Sequence, residues 1–358
     1  MSPDYLKPII ARQQAIAEGN FDSTSIETPK FSTYAVCNLR GGVGKTTLTF
    51  NLSYYADDLL TLDVCPQGNL SYFFDSEYYK RSPNIYDALL PYLISGANRA
   101  DRVASYIGAT NRCFNGKRAY YIPSADELYM LPSLLNSALN MTENLPAIRR
   151  QKAVENILFA LRSEISRELT QNKLNKCLID TSPFFAGGTE LAWHAADALI
   201  VPVRTDRQSI NSFQLLIDAL TNSSSHFLKY AEKIENFRAP KIHMVVLTHC
   251  GWSTRSGARS IPNQQTQAYL QQCYDTISRH RSLLSTENPD NHLFLLDDFL
   301  GSGRISSLES KPIELLTPGY TKTHNRVRVS VNASVEKCKN ELRFIHRLLW
   351  NDKQDAQR

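Results

Sequence analysis

Residues 38–47 read Asn38-Leu39-Arg40-Gly41-Gly42-Val43-Gly44-Lys45-Thr46-Thr47, and this stretch constrains the fold more than any other. Three glycines within four residues let the main chain turn its N–H groups inward, where a Cβ would block close approach to an anion. The N–H groups of Gly41, Gly42, Val43, Gly44, Lys45, Thr46 and Thr47 then form a cradle for a polyphosphate. Lys45 adds a point charge for the β- and γ-phosphates, and the Thr46 hydroxyl can complete the shell of a Mg²⁺ ion. Such a cradle needs a strand before it and a helix after it. Tyr34-Ala35-Val36-Cys37 reads as a buried strand, and Leu48 to Tyr55 as a helix whose N-terminus faces the phosphates.

Further apolar runs extend the pattern: residues 59–63, 176–180, 198–203, 242–247 and 293–296. Helical stretches lie between them, as at 209–220, where Ile210, Phe213, Ile217 and Leu220 share one face. Near-continuous apolar strands alternating with helices predict an α/β fold, a mostly parallel twisted sheet with helices on both faces. Ligands in such sheets sit at the carboxyl ends of the strands, where the glycine loop, Asp63 and Asp180 all fall. Asp180 ends an apolar strand and precedes Thr181-Ser182-Pro183. A carboxylate there can hold a Mg²⁺-bound water; its alternative use is to cap a helix.

Length and composition suit one large α/β domain or two small ones. The chain has 358 residues, 42% hydrophobic and 21% charged. No apolar run approaches the ~20 residues that cross a bilayer. The first residues lack the basic start and apolar core of a secretory leader. Seven cysteines, with no Cys-x-x-Cys spacing, fit a reducing cytosol better than a disulfide framework or zinc site. The net charge of +5 is concentrated: residues 319–358 carry nine Lys/Arg and four Asp/Glu, a surplus equal to that of the whole chain. That end suits a polyanion, either nucleic acid or an acidic membrane face.

Residues 62–71, Leu-Asp-Val-Cys-Pro-Gln-Gly-Asn-Leu-Ser, resemble the first switch of the ParA/MinD family, usually Asp-x-Asp-Pro-Gln-Gly-Asn. The glycine loop resembles that family's deviant form, Lys-Gly-Gly-x-Gly-Lys-Thr-Thr, and not the strict P-loop. Residues 84–90, 121–128 and 195–203 match further segments, and 245–248 less tightly, so the resemblance spans about 31–320 and lies closest to the ParA/Soj partition branch. It implies a P-loop NTPase that binds ATP and Mg²⁺, forms a nucleotide-bridged homodimer, binds DNA without reading sequence, and answers to a ParB-like or other adaptor protein. It implies a cytoplasmic, nucleoid-associated location.

Two positions depart from the family. Arg40 stands where the signature lysine reaches the partner's phosphates; it keeps the charge and offers a planar fork. Cys65 stands where a second Asp is thought to orient the attacking water. A neutral thiol is a weak acceptor, so slow hydrolysis is expected. Asp63 remains for an outer-shell role at the metal, beside Thr46 and Asp180. Lys45, Arg40, Asp63 and Cys65 are thus the expected catalytic set.

Three units are expected: an arm over 1–30 with a linker at Asp22-Ser23-Thr24-Ser25, an ATPase domain over 31–320, and a basic amphipathic helix over 321–358, docked on the ATPase domain. In that helix Val331, Val335, Cys338, Leu342, Ile345 and Leu349 form an apolar stripe. Docked, it would show Lys339, Arg343 and Arg347 to DNA phosphates, with Arg255 and Arg259 as further contacts. Undocked, Phe344, Ile345, Leu348, Leu349 and Trp350 would suit a MinD-like membrane anchor. A hydrolysis-impaired, ATP-locked regulator of plasmid maintenance or phage defence is the other reading.

Overall fold

The computed structural model describes residues 4–21, 26–185, 187–231, 234–235, 237–253 and 260–350. In chain order the elements are α1 (Lys7–Ala17), β1 (Thr33–Val36), α2 (Lys45–Tyr55), β2 (Leu59–Asp63), α3 (Asn69–Phe74) and α4 (Ile85–Leu93). β3 (Ser105–Tyr106), β4 (Ala119–Ile122), α5 (Leu131–Thr142), α6 (Ala147–Leu158), α7 (Ala160–Asn172) and β5 (Lys176–Asp180) follow. Next come α8 (Gly188–Ala195), β6 (Ala198–Arg204), α9 (Arg207–Thr221), α10 (His226–Ala231), β7 (Lys241–Cys250), α11 (Gln264–Arg279) and β8 (Leu293–Asp297). The chain closes with α12 (Leu300–Glu309), β9 (Thr321–His324), β10 (Val327–Ser330) and α13 (Val335–Leu349).

Eight strands form one sheet in the order β3-β4-β2-β5-β1-β6-β7-β8. All neighbours run parallel except β3, which pairs antiparallel with β4 at one edge. The predicted α/β architecture is therefore observed. β1, β2 and β5 are buried at every position, as both faces of the sheet are covered. Alternate side chains along β1 and the residue after it divide between the two cores: Tyr34 and Val36 pack with α2, α12 and α13, whereas Ala35 and Cys37 face α4, α5, α7, α8, α9 and α11. Register places Asp63 beside Asp180 at the carboxyl ends of β2 and β5.

The described part of the expected N-terminal arm packs on the rest of the chain. α1 lies against β8 and α13, with Leu6, Ile9 and Ile16 buried. Arg12 donates to the main-chain carbonyls of Asp290 and Leu293, and Gln13 Nε2 donates to Glu341 Oε1 at 2.6 Å. The apolar spacing in α1 is short, but it covers an edge strand whose exposed hydrogen-bonding groups would otherwise invite pairing. The linker at 22–25 lies outside the described residues.

The apolar stripe of α13 is buried, with Val335, Cys338, Leu342, Ile345 and Leu349 at 1% exposure or less. Phe344, Leu348 and Trp350 are buried too, and Trp350 Nε1 donates to the Phe31 carbonyl at 3.1 Å. As folded, the residues that would serve a membrane anchor are inside the protein. No helix among the described residues is long and apolar enough to cross a membrane.

The basic strip needs correction. Lys339 is buried and pairs with Glu336 at 2.8 Å. Arg343 lies against Glu314, its Nε 3.0 Å from Oε2. Of the three predicted cations on this helix only Arg347 is exposed. Residues 321–330, expected as part of the helix, instead form a β9–β10 hairpin, and the helix begins at Val335. Arg255 and Arg259 lie outside the described residues.

Candidate functional site

The glycine loop joins β1 to α2 as the motif demands. Gly42 and Gly44 have φ of 73° and 92°, a left-handed conformation costly for residues with a Cβ. Gly44 is the residue before α2, so the first main-chain N–H groups of that helix open into the loop. These are the groups that, with the helix dipole, make an anion site. Thr248 Oγ1 on β7 donates to the Val43 carbonyl at 3.0 Å and braces the turn.

Lys45 is buried. Its Nζ donates to the Asn38 carbonyl at 3.1 Å and the Arg40 carbonyl at 2.7 Å, both within the loop it belongs to. Burial pulls its pKa below the usual lysine range, and Asp180 opposes that pull. The ammonium is held across the cradle by weak acceptors, ready to exchange carbonyls for phosphate oxygens.

Thr46 Oγ1 donates to Asp180 Oδ2 at 2.7 Å, and Thr49 Oγ1 to Asp180 Oδ1 at 3.3 Å. A hydroxyl and a carboxylate in contact, with a second carboxylate on the adjacent strand, are an all-oxygen donor set of the kind Mg²⁺ takes. Asp63, Asp180 and Lys45 are all buried. Burial raises Asp63 to about 6; burial first, and Asp63 second, raise Asp180 to about 7. Two adjacent buried carboxylates whose charged forms are disfavoured by burial and by each other are a fitting place for a cation.

This sets a pH dependence. Unfolded carboxyls ionise near pH 4, so between that pH and about 7 the native state holds protons that the unfolded chain has lost. The stabilisation is full below about pH 4 and disappears as pH rises through about 7. Between pH 5 and 8 without metal or nucleotide, the melting temperature should fall by about a few °C more than that of Asp180→Asn. Mg²⁺ should shrink the difference. Parallel curves for the two proteins would contradict this assignment.

Asp63 is more committed to its own chain than the sequence suggested. Its Oδ2 accepts from Ser71 N (2.8 Å) and Ser71 Oγ (2.9 Å), and its Oδ1 from Cys65 N (3.1 Å). Ser71 Oγ also accepts from Ser124 N at 2.9 Å, while Ser124 Oγ donates to the Cys65 carbonyl at 2.6 Å. Asp63, Ser71, Ser124 and Cys65 thus close a ring of hydrogen bonds that fixes the 64–70 loop. Sequence reading missed Ser71 and Ser124, although both lie in segments it singled out. Cys65 is 6% exposed, and burial, then Asp63, push its thiol up to about 11.

Arg40 pairs with Asp206 and donates to Ser209 Oγ at 3.1 Å. Asp206 also caps α9, accepting from Ser209 N at 2.9 Å. The guanidinium is therefore held within its own chain, at the rim of the loop.

Beside the cradle lies a cavity of about 660 Å³ that sequence reading did not anticipate. Its walls come from Gly44, Thr47 and Leu48 on one side, Thr248 and His249 on another, and the 296–308 and 324–329 segments beyond. The predicted site residues 40–47, 63, 65 and 180 meet at one end of the sheet, next to this cavity. The predicted cations of α13 belong to another helix, and two of them are already paired.

A family model described as an AAA domain matches residues 31–232, more than half of the chain. The chain belongs to the ParA/MinD family of ATPases. The ParA/MinD relatives include the sporulation initiation inhibitor protein Soj of Bacillus subtilis strain 168, 24% identical over 196 residues; that match covers 54% of this chain and 66%, just under two thirds, of Soj. Among solved structures, an ATP complex of a McdA variant from Cyanothece aligns with a TM-score of 0.57 at 16% identity, covering 90% of this chain and 99% of that one. A putative plasmid partition protein from Borrelia burgdorferi, bound to AMPPNP, aligns with a TM-score of 0.51 at 16% identity, covering 89% and 99%. At such identities these likenesses show the fold, which is the ParA/MinD-like P-loop sheet expected from the glycine loop.

Proposed function

We propose that this ParA/MinD family member is an ATP-dependent, dimerising partition-type ATPase that binds DNA without reading sequence and hydrolyses ATP slowly. The observation that carries the reading is the Gly41–Thr47 cradle with buried Lys45 across it and the Thr46–Asp180 pair beside it. The ATP and AMPPNP complexes among its structural relatives support the same ligand. Main-chain N–H groups of 41–47 bind the phosphates, and Lys45 neutralises their β- and γ-oxygens. Thr46 and Asp180, with Asp63 behind them, would hold Mg²⁺, which when bound neutralises charge that builds up during phosphoryl transfer. Arg40, released from Asp206, would reach the partner subunit's phosphates.

Cys65 supports slow turnover, because a buried neutral thiol neither accepts a proton nor orients water well. It gives weight to a second reading, an ATP-locked regulator whose dimer persists. A membrane-positioning role is disfavoured, since the α13 residues it needs are buried.

Arg347 is the exposed one of the three α13 cations, so DNA phosphates would fall to it and to Arg255 and Arg259. Random duplex should shift with ATP and Mg²⁺ and much less with ADP. Replacing these three arginines by alanine should weaken binding and flatten its salt dependence by about one log unit per lost phosphate contact. Equal binding with ADP, or capture by anionic liposomes in place of DNA, would overturn the reading. An adaptor of the ParB kind, and a nucleoid-associated cytoplasmic location, belong to the same proposal.

A further inference from the structure

The cavity beside the cradle has an outer wall built from residues beyond the 31–232 family match. His324, Asn325, Val327 and Val329 of the β9–β10 hairpin line it, opposite Leu48 and Leu296. Asn325 and Arg326 both have positive φ, 48° and 64°, which makes a tight two-residue turn of the kind that keeps a hairpin compact.

The hairpin is fixed to α12 and does not swing free. Asn332 N donates to Ser302 Oγ at 3.1 Å, and Ser302 N to Asn332 Oδ1 at 3.2 Å. Lys322 and Tyr320 both bind Glu309 at 2.8 Å. Gly301 permits the approach: a Cβ there would lie 2.2 Å from the Ser330 carbonyl oxygen. Val327 is nevertheless 58% exposed, an apolar side chain with no covering partner at the mouth of the cavity.

Thr47 and Gly44 belong both to the cradle and to the cavity wall. A nucleotide whose phosphates occupy 41–47 therefore has this space for its sugar and base. The volume lies in the range of small-molecule sites. The valines and leucines offer flat apolar contact. Asp298 accepts from Leu300 N through Oδ1 at 3.0 Å and lies close enough to His249 to favour its charged form, so its carboxylate and that imidazole are the polar groups of the wall that could meet a donor or acceptor on the base or ribose.

We propose that the β9–β10 hairpin, seated through Gly301, is the nucleoside-binding wall of this site and supplies the affinity that separates a purine nucleoside triphosphate from bare triphosphate. The proposal rests on the reading of 41–47 as a phosphate cradle.

The test compares binding of MgATP and of magnesium tripolyphosphate by titration calorimetry for the native chain, Val327→Ser and Gly301→Ala. The native chain should bind MgATP at least about tenfold more tightly than tripolyphosphate. Val327→Ser should lower MgATP affinity about fivefold, and Gly301→Ala about tenfold by displacing Ser330. Neither should change tripolyphosphate binding. Native binding of both ligands with equal affinity would overturn the hairpin's role and leave the cradle standing. Equal losses for both ligands in the variants, or no loss of MgATP, would also overturn it. Failure of the native chain to bind either would bring down the cradle and the hairpin together.

Discussion

Lys45→Ala should lower MgATP affinity at least about 100-fold, a loss of roughly 2.7 kcal/mol. The side chain is buried and its ammonium donates to the Asn38 and Arg40 carbonyls. Those carbonyls lie in the turn itself, so the charge points into the loop and not into solvent. A triphosphate entering the cradle would meet a cation already desolvated, whose Coulomb attraction is stronger than it would be in bulk water. Removing it leaves the phosphate charge to the main-chain N–H groups and the magnesium ion that comes with the nucleotide. The fold should survive, since the loop is braced by Thr248. Titration calorimetry reads the affinity and far-ultraviolet circular dichroism checks the fold. A variant that binds MgATP as the native chain does would mean that the phosphates sit elsewhere.

Cys65→Asp should raise ATP turnover about 100-fold, the scale on which a positioned proton acceptor contributes. The native thiol, pushed up to about 11 by burial and by Asp63, stays protonated at neutral pH. The position is nonetheless furnished for an anion: the Gln67 N–H and the Ser182 hydroxyl both face the Cys65 sulfur. The ring through Asp63, Ser71 and Ser124 fixes the main chain at 65 through its N–H and carbonyl, and so would hold an aspartate in place. Cys65→Ser is the control and should gain nothing. Steady-state release of phosphate measures all three. If the native chain already turns over as fast as Cys65→Asp, the thiol is not what limits hydrolysis.

How much of this was readable beforehand depended on how local each signal is. The cradle is a ten-residue pattern with its own glycine geometry, and apolar strands buried on both faces announce themselves as continuous runs, as at 59–63 and 176–180. Register then brought Asp63 and Asp180 together without further information. β4 escaped because Tyr120 is only half buried within an otherwise apolar run. The β9–β10 hairpin escaped because its Thr-Lys-Thr-His and Val-Arg-Val-Ser strands are mostly exposed and its Asn-Arg turn lacks the glycine that marks most such turns.

The α13 stripe was legible as an amphipathic period, but periodicity says nothing of what the opposite face meets. Glu314 lies 29 positions before Arg343, and nothing in the helix's own pattern reveals that pairing. The resting partner of Arg40 was hidden for the same reason: Asp206 lies 166 positions away. The cavity is the extreme case. Its walls are drawn from α2, β7, β8, α12 and the hairpin, so no single stretch of sequence contains it.

The central claim is that a triphosphate gripped at 41–47 joins two copies of the chain, and light scattering after size exclusion tests it most directly. With saturating ATP and Mg²⁺ the native chain should run at twice its monomer mass, and Lys45→Ala at the monomer mass. Native chain that stays monomeric while calorimetry shows the nucleotide bound would contradict it.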